Sequence, residues 1–294
     1  NADRCEDVYR TTALAMYRAG EYSKNTYAFY SDDFENDNLQ QRELEQRLRT
    51  AVFNRMDGFS VSFRPISYLE SGVNFSYEAQ VRWVDPVLGQ IPVKKLIKTA
   101  ENIGIDAILD TWVIGKACEF CRKLNDKTGR EDNVVTINLT IHELMHTPVH
   151  ETIRSALSKY YLEGSNLVVE IPEKAQIKAY NEIASILGQL RKIGVRITID
   201  DSAKEYASLS SLKFSFVNII KLDARQFFNA TNEFDRIMLE SIVKLAHERD
   251  ILVAVKHASD IAKHDVLYSY GIDLIEGENS DSIGEKSLTS KLRI

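Results

Sequence analysis

The chain has 294 residues, of which 44% are hydrophobic and 27% charged, proportions typical of a globular protein with a sizeable core. Its net charge of −6 argues against general electrostatic affinity for nucleic-acid polymers or anionic membranes. No apolar run approaches the roughly 20 residues of a membrane helix, and no signal peptide is recognisable. Three cysteines, an odd number, favour a reduced compartment. We therefore expect a cytoplasmic fragment without membrane contact of its own.

The first 56 residues differ from the rest of the chain. Residues 1–31 combine a helical pattern (Val8 to Ala19) with a short aromatic strand, Tyr27–Tyr30. One helix and one strand cannot bury both faces, so this part resembles the end of a larger domain. Residues 32–56 are interpreted as a polar, acidic linker (Asp32–Asn38) followed by a connecting amphipathic helix (Leu39–Phe53). Residues 57–294 form the main domain.

The main domain alternates strand-like and helical segments. The predicted strands are Ser60–Ile66, Asn74–Trp83, Val134–Asn138, Leu167–Glu170, Val195–Asp200, Val217–Asp223, Ile251–Val255 and Asp273–Glu276. The predicted helices are Val93–Ile103, Ile108–Leu124, Tyr180–Ile193 and Asp235–Glu248. This order predicts an α/β fold, a modified TIM (β/α)8 barrel. A short turn at Gly72 joins the first two strands as a hairpin, so one strand is expected to be antiparallel. An open doubly wound sheet is the alternative, but no glycine-rich phosphate loop follows any strand.

Polar side chains stand where these strands end. The residues are Glu78, Asn138, Glu170, Asp200 with Asp201, and Lys221 with Asp223. In a barrel, the carboxyl ends of parallel strands gather at one face, where active sites lie. Carboxylate and amide oxygens suit Mg²⁺, Mn²⁺ or Ca²⁺ rather than zinc. The pattern thus predicts a site for a hard cation.

Two other motifs are interpreted as structural. His142-Glu143-Leu144-Met145-His146 matches the HExxH pattern of zinc proteases, but Pro148 limits the helix to a few residues, whereas such enzymes need a long, buried helix. Cys118 and Cys121 have CxxC spacing inside a helical pattern with no second pair, and we predict them to be core and helix-surface thiols.

The main domain resembles the EAL domain, the bacterial phosphodiesterase module for cyclic di-GMP. The matching motifs are Glu78-Ala79-Gln80-Val81-Arg82-Trp83 for E-A-L-x-R-W, Asn138-Leu139-Thr140 for N-L-S, Glu170-Ile171-Pro172-Glu173 for E-x-T-E, Asp200-Asp201 for the start of D-D-F-G-T-G, and Ile220-Lys221-Leu222-Asp223 for I-K-I-D. The resemblance implies a modified TIM barrel with one antiparallel strand. It also implies metal-dependent hydrolysis of one phosphodiester bond, with linear diguanylate as the product.

The resemblance also implies roles for individual residues. Glu78, Asn138, Glu170 and Asp200 would hold a first Mg²⁺ or Mn²⁺, and Asp201 would help to hold a second. Lys221, with Asp201, would act in catalysis by orienting or activating water. Arg82 would meet a substrate phosphate, Glu276 would face a guanine, and Glu173 would support a loop.

Residues 1–31 resemble the last helix and strand of a GGDEF (diguanylate cyclase) domain, on Ala15-Met16-Tyr17-Arg18-Ala19 and Asn25-Thr26-Tyr27-Ala28-Phe29-Tyr30. The expected partners are therefore cyclic di-GMP and the rest of a GGDEF–EAL tandem chain. A homodimer and a membrane anchor in the parent protein are left open.

Several positions depart from the family pattern. Val255 is assigned to the glutamate of A-E-G-V-E, a second-metal ligand or general base, and Glu276 replaces a guanine-contacting glutamine. Further departures are Gln80 for leucine, Pro172 for threonine, and Ser202-Ala203-Lys204-Glu205 for F-G-T-G. These changes favour a degenerate, catalytically impaired binding or regulatory module. The alternatives are a metal-dependent phosphodiesterase of low residual activity and a pure protein-interaction module.

Overall fold

The computed structural model describes residues 32–172, 180–200, 216–258, 261–277 and 283–284, with residues 5, 8–9, 11–13, 15–16, 27 and 29. The chain divides into two compact units. Residues 1–58 and 84–103 form one, here called the helical unit, and residues 59–83 and 104–294 form the other, the barrel unit.

The described elements follow one another along the chain in this order: α1 (Asp32–Phe53), β1 (Phe59–Tyr68), β2 (Asn74–Asp85), β3 (Gly89–Ile91), α2 (Val93–Asn102), α3 (Asp106–Thr128), β4 (Val135–Asn138), α4 (Ile141–His146), α5 (Val149–Lys159), β5 (Leu167–Pro172), α6 (Tyr180–Lys192), β6 (Arg196–Asp200), β7 (Ile219–Asp223), α7 (Ala224–Phe228), α8 (Glu233–His247), β8 (Leu252–Lys256), α9 (His264–Ser269), β9 (Leu274–Glu276) and β10 (Ile283–Gly284). Two 3₁₀ turns, Gly164–Asn166 and Ile261–Lys263, complete the set. Among the described helices, none is long and apolar enough to cross a membrane.

The helical unit is built on contacts between α1 and α2. Leu44 and Leu48 on α1 and Leu96 on α2 are all buried. Arg49 Nη2 donates to the carbonyl oxygen of Ile103, 3.2 Å away, just beyond the end of α2. The predicted apolar stripe of the connecting helix therefore has a partner in α2.

The prediction of a polar linker at Asp32–Asn38 is wrong, because α1 begins at Asp32 and runs without a break to Phe53. Upstream, Val8 and its described neighbours at 11–13 and 15–16 are helical, whereas Tyr27 and Phe29 belong to no strand. The other residues of the predicted Tyr27–Tyr30 strand lie outside the described ones.

The barrel unit closes a ring of eight strands. Its order is β1-β9-β8-β7-β6-β5-β4-β2, and β2 pairs back to β1. β1 is antiparallel to both β2 and β9, while the other pairs in the ring are parallel. β10 adds a short antiparallel pairing to β1. The predicted barrel with one antiparallel strand is confirmed, and each predicted strand agrees with an observed one to within two residues.

Strand alternation sorts the barrel side chains into two layers, because successive residues of a strand point to opposite faces. One small cluster fills the barrel interior: Ile66, Val134, Val168, Ile219, Ala254 and Leu274. The larger core contains the alternate residues of the same strands together with side chains of α3, α5, α6 and α8. Two residues beyond the interior cluster, at the carboxyl ends of the parallel strands, the inward positions become polar. The candidate site lies at this end of the barrel.

Helix ends in the barrel unit follow local chemistry. Gly129 closes α3 in the left-handed conformation with φ 65°, which costs glycine little. Cys118 and Cys121 are both buried in the core on α3, as predicted for one of them, and burial raises the pKa of each thiol to about 12. The helix carrying the HExxH pattern, α4, is six residues long, as Pro148 predicted.

Candidate functional site

Four acids face the carboxyl end of the barrel and are here called the acid cluster: Glu78, Glu170, Asp200 and Glu276. Lys221 Nζ, on β7, lies among three of them. It is ion-paired with Glu170 Oε2, lies 2.9 Å from Glu276 Oε2 and 4.0 Å from Glu78 Oε2, and its side chain is only 2% exposed. The structure therefore brings together Glu78, Glu170 and Lys221, three of the polar side chains that the strand pattern predicted to converge, and adds Glu276 to them.

The charged side chains of this group shift one another's pKa values. Burial alone would lower the pKa of Lys221, but Glu170, Glu78 and Glu276 outweigh it and raise the pKa well above its ordinary value. Burial would raise the pKa of Glu78, but Lys221 and Arg64 reverse the effect and lower it to about 2. Burial raises the pKa of Glu170 to about 7, against the opposing attraction of Lys221. Lys221 is thus a fixed cation within a group of buried acids.

Arg64, on the antiparallel strand β1, is a site residue that the sequence analysis missed. It lies directly opposite Glu78 in the β1–β2 register. Its Nη2 donates to Glu78 Oε2 at 2.6 Å and lies 2.5 Å from Glu276 Oε1. Both oxygens of Glu276 therefore contact cationic side chains of the protein itself. The polar alternation Ser60, Ser62, Arg64 along the predicted hairpin was the available signal.

Asn138 and Arg82 lie on neighbouring strand ends. Asn138 Nδ2 donates to Glu78 Oε1 at 2.8 Å, so the predicted pair of ligands is in direct contact. Arg82 follows Glu78 by four residues on β2, on the same side of the strand, and its Nη2 donates to Gln80 Oε1 at 2.7 Å. Gln80, which replaces the leucine of the E-A-L motif, thereby helps to orient the guanidinium group predicted to meet phosphate.

The end of β8 corrects the assignment of Val255. Val255 is fully buried in the larger core, outside the barrel interior, whereas Ala254 belongs to the small cluster in the interior. Because side chains alternate along a strand, the next residue of β8 that points inward after Ala254 is Lys256. Lys256 Nζ lies 2.5 Å from Asp200 Oδ1. The prediction that Val255 stands at the site position is therefore wrong by one residue. The position that faces the acid cluster carries a lysine.

The donor types of the acid cluster are those of a hard-cation site, yet their arrangement does not fit a divalent ion. Oxygens of Glu78, Glu170 and Asp200 already contact Arg64, Lys221 and Lys256. Within the described ranges, no three histidine, cysteine or acidic side chains converge so that they could hold a metal ion. We therefore assign no chemical step to a metal ion in this site.

Some predicted residues are not covered. Asp201, Glu173 and the segment 202–205 that replaces F-G-T-G lie outside the described residues. Of the HExxH residues, Glu143 is used locally. Its carboxylate accepts a hydrogen bond from the backbone N–H of Thr140, and Thr140 Oγ1 accepts one from the N–H of Glu143, forming a capping box at α4. His142 Nδ1 lies 2.7 Å from Asp106 Oδ2. These contacts explain the motif structurally.

Curated proteins of known name are similar to this chain in sequence. MucR of Pseudomonas aeruginosa, named a bifunctional diguanylate cyclase/cyclic di-GMP phosphodiesterase, is 28% identical over 265 residues, 90% of this chain and 38% of MucR. The cyclic di-GMP phosphodiesterase NbdA of the same bacterium is 26% identical over 278 residues, 94% of this chain and 35% of NbdA. The chain thus spans about a third of the length of the curated relatives it matches.

Solved structures share the fold. The PaMucR phosphodiesterase in complex with c-di-GMP superimposes with a TM-score of 0.71 at 25% identity, over 80% of this chain and 94% of that one. The FimX EAL domain gives a TM-score of 0.69 at 19% identity, over 79% and 92%, which is a likeness of fold alone. The family model of the EAL domain matches residues 45–279. With the eight-stranded ring, its antiparallel β1 and the motifs at its strand ends, this match establishes that the chain belongs to the EAL domain family.

Proposed function

We propose that this chain is a catalytically impaired EAL domain that binds nucleotide or regulates a partner in cyclic di-GMP signalling. The observation that carries the proposal is Lys256. It occupies the inward end of β8 and pairs with Asp200, where a metal-dependent hydrolase would need an acid. A cation there opposes both metal binding and proton abstraction from water.

Lys221 supports the same proposal. Metal-assisted hydrolysis needs bound water with a lowered pKa and a group that accepts its proton. The acids around Lys221 keep it protonated, and a protonated amine can orient an oxygen atom but cannot accept a proton. Of the residues expected to act in catalysis, Lys221 can therefore position a ligand without activating water.

Nucleotide binding has separate support. Arg82 presents a guanidinium group, held by Gln80, that suits a phosphate of cyclic di-GMP. The relative whose structure is titled as a c-di-GMP complex is 25% identical to this chain. A guanine approaching Glu276 would have to compete with Arg64 and Lys221 for its oxygens. We therefore expect binding that relies more on phosphate than on base contacts.

Two other functions have specific support. Glu78, Asn138, Glu170 and Asp200 are all present on four barrel strands, which favours a residual phosphodiesterase using Mg²⁺ or Mn²⁺ and Asp201. The internal pairing of the acid cluster favours instead a protein-interaction module whose former site is closed. We also propose that residues 1–31 are the remnant of a GGDEF domain in a tandem, cytoplasmic signalling protein.

One set of assays separates these functions. The chain is incubated at micromolar concentration with cyclic di-GMP and Mg²⁺ or Mn²⁺ for a day, and products are separated by chromatography. We expect no linear diguanylate, and its accumulation over many turnovers would refute the impaired site. Calorimetry with cyclic di-GMP, with and without Ca²⁺, should give a binding heat that Arg82→Ala abolishes and Arg122→Ala, on the surface of α3, leaves intact. Absence of heat in both conditions would leave the interaction module as the function.

A further inference from the structure

We infer that two of this domain's own cations, Arg64 and Lys256, together with Lys221, offset most of the negative charge of the acid cluster and thereby exclude divalent metal ions. The inference concerns the site of the proposed function and rests on it for the assignment of that site. It gives a physical cause for the impairment of that site, and this cause can be tested without any nucleotide.

Arg64 occupies one side of the cluster. Its Nη2 lies 2.6 Å from Glu78 Oε2 and 2.5 Å from Glu276 Oε1, with 17% of its side chain exposed. Charged hydrogen bonds of this length, partly shielded from water, are stronger than ion pairs on an open surface. A metal ion that approached Glu78 would have to displace the guanidinium group from two carboxylates at once.

Lys256 occupies another part of the cluster. Its Nζ lies 2.5 Å from Asp200 Oδ1, and the two side chains are 15% and 23% exposed. In the strand register Asp200 lies beside Lys221 on β7, and Lys221 lies beside Ala254 on β8, so Lys256 reaches Asp200 from two strands away. The lysine is thus anchored by β8 and is not a surface side chain that happens to come near.

The charge balance completes the argument. At a pH above 7, where Glu170 is ionised as well, four carboxylates among the described side chains meet three cations, Arg64, Lys221 and Lys256, which leaves a net charge of −1. A dication is held by an excess of negative charge, and each fixed cation within a few ångströms opposes it. Replacing Arg64 and Lys256 by neutral groups would change the net charge to −3 while keeping all four acids.

Binding of Mn²⁺ to the whole chain tests the inference. Free Mn²⁺ is measured by electron paramagnetic resonance and binding heats by calorimetry, for the wild type, for the double variant Arg64→Gln with Lys256→Gln, and for the charge-conserving control Arg64→Lys with Lys256→Arg. We expect the wild type and the control to bind Mn²⁺ no tighter than about 1 mM. The neutral double variant should bind at least about 100-fold tighter.

Either of two results overturns the inference: micromolar binding of Mn²⁺ by the wild type, or no gain in the neutral double variant. If circular dichroism shows that the double variant does not fold, Lys256→Gln alone is measured. It should gain about tenfold in Mn²⁺ affinity, and an unchanged affinity refutes the role of Lys256. Wild type that binds Mn²⁺ without cleaving cyclic di-GMP contradicts only this inference, whereas cleavage contradicts the proposed function.

Discussion

The side-chain alternation of β8 predicts opposite outcomes for glutamate at two adjacent positions. Val255 is fully buried in the apolar core, so Val255→Glu forces a carboxyl into that layer. The pKa of a fully buried glutamate rises by about 3–5 units, and each unit corresponds to 1.36 kcal/mol. At pH 8 the cost of ionising this glutamate is about 4–5 kcal/mol, and about 2 kcal/mol of apolar burial is lost as well. We therefore expect Val255→Glu to lower the free energy of unfolding by about 6–7 kcal/mol at pH 8. Lys256→Glu loses one partly exposed ion pair and adds repulsion to Asp200, at about 1–2 kcal/mol.

Urea unfolding followed by circular dichroism at pH 8 and pH 5 measures both effects. The new carboxyl in Val255→Glu has a raised pKa in the folded state. The variant therefore keeps most of its folding stability at low pH, where the carboxyl is protonated, and loses it as the pH rises through the folded-state pKa. Its destabilisation should therefore shrink by about 3 kcal/mol at pH 5. Lys256→Glu should not show this recovery. If the free energy of unfolding of Val255→Glu stayed within about 1 kcal/mol of the wild-type value at pH 8, the assignment of Val255 to the larger core would be refuted.

Three further predictions concern the core. Lys221→Met leaves buried carboxylates without their central cation and should lower the free energy of unfolding by about 3–5 kcal/mol in a urea titration, and a change below about 1 kcal/mol would contradict its burial among them. A thiol reagent at pH 8 should modify the exposed Cys5 rapidly, and should reach Cys118 and Cys121 only on unfolding, because burial raises the pKa of both to about 12. Gly164→Ala would bring a Cβ atom within 1.8 Å of a backbone carbonyl oxygen and should lower the melting temperature by several degrees, which differential scanning calorimetry would detect.

The barrel could be predicted from sequence because its strands have a strong local pattern. The predicted run Leu167–Glu170, for example, is apolar on both faces up to its last residue, as expected for a parallel strand covered on each side, and it ends in a glutamate. The turn at Gly72 fixed the hairpin and therefore the antiparallel direction of β1. The same pattern placed Glu78, Glu170 and Lys221 at one end of the barrel. These features depend on the chain's own periodicity and not on distant contacts.

Two errors have a common physical origin. Asp32–Asn38 was taken for a linker because it is polar, but an acidic helix N-terminus has the same composition. Val255 was assigned to the site from motif letters, which do not show which of two neighbours points inward. Only the alternation that places Ala254 in the barrel interior identifies Lys256 as the facing residue. In both cases composition alone could not choose between two structures of the same segment.

Arg64 was missed because its role exists only after the ring has closed. Its partner Glu78 is 14 residues away across a hairpin, but its second partner, Glu276, is brought beside it only when β9 pairs with β1. Since Arg64 and Lys256 engage different acids, each should oppose a metal ion through its own contacts. Their effects on Mn²⁺ affinity should then be roughly additive in free energy, and either neutral substitution alone should recover only part of the gain. Restoring an acid at the end of β8 would for this reason leave the contacts of Arg64 with Glu78 and Glu276 in place and should recover only part of the metal affinity.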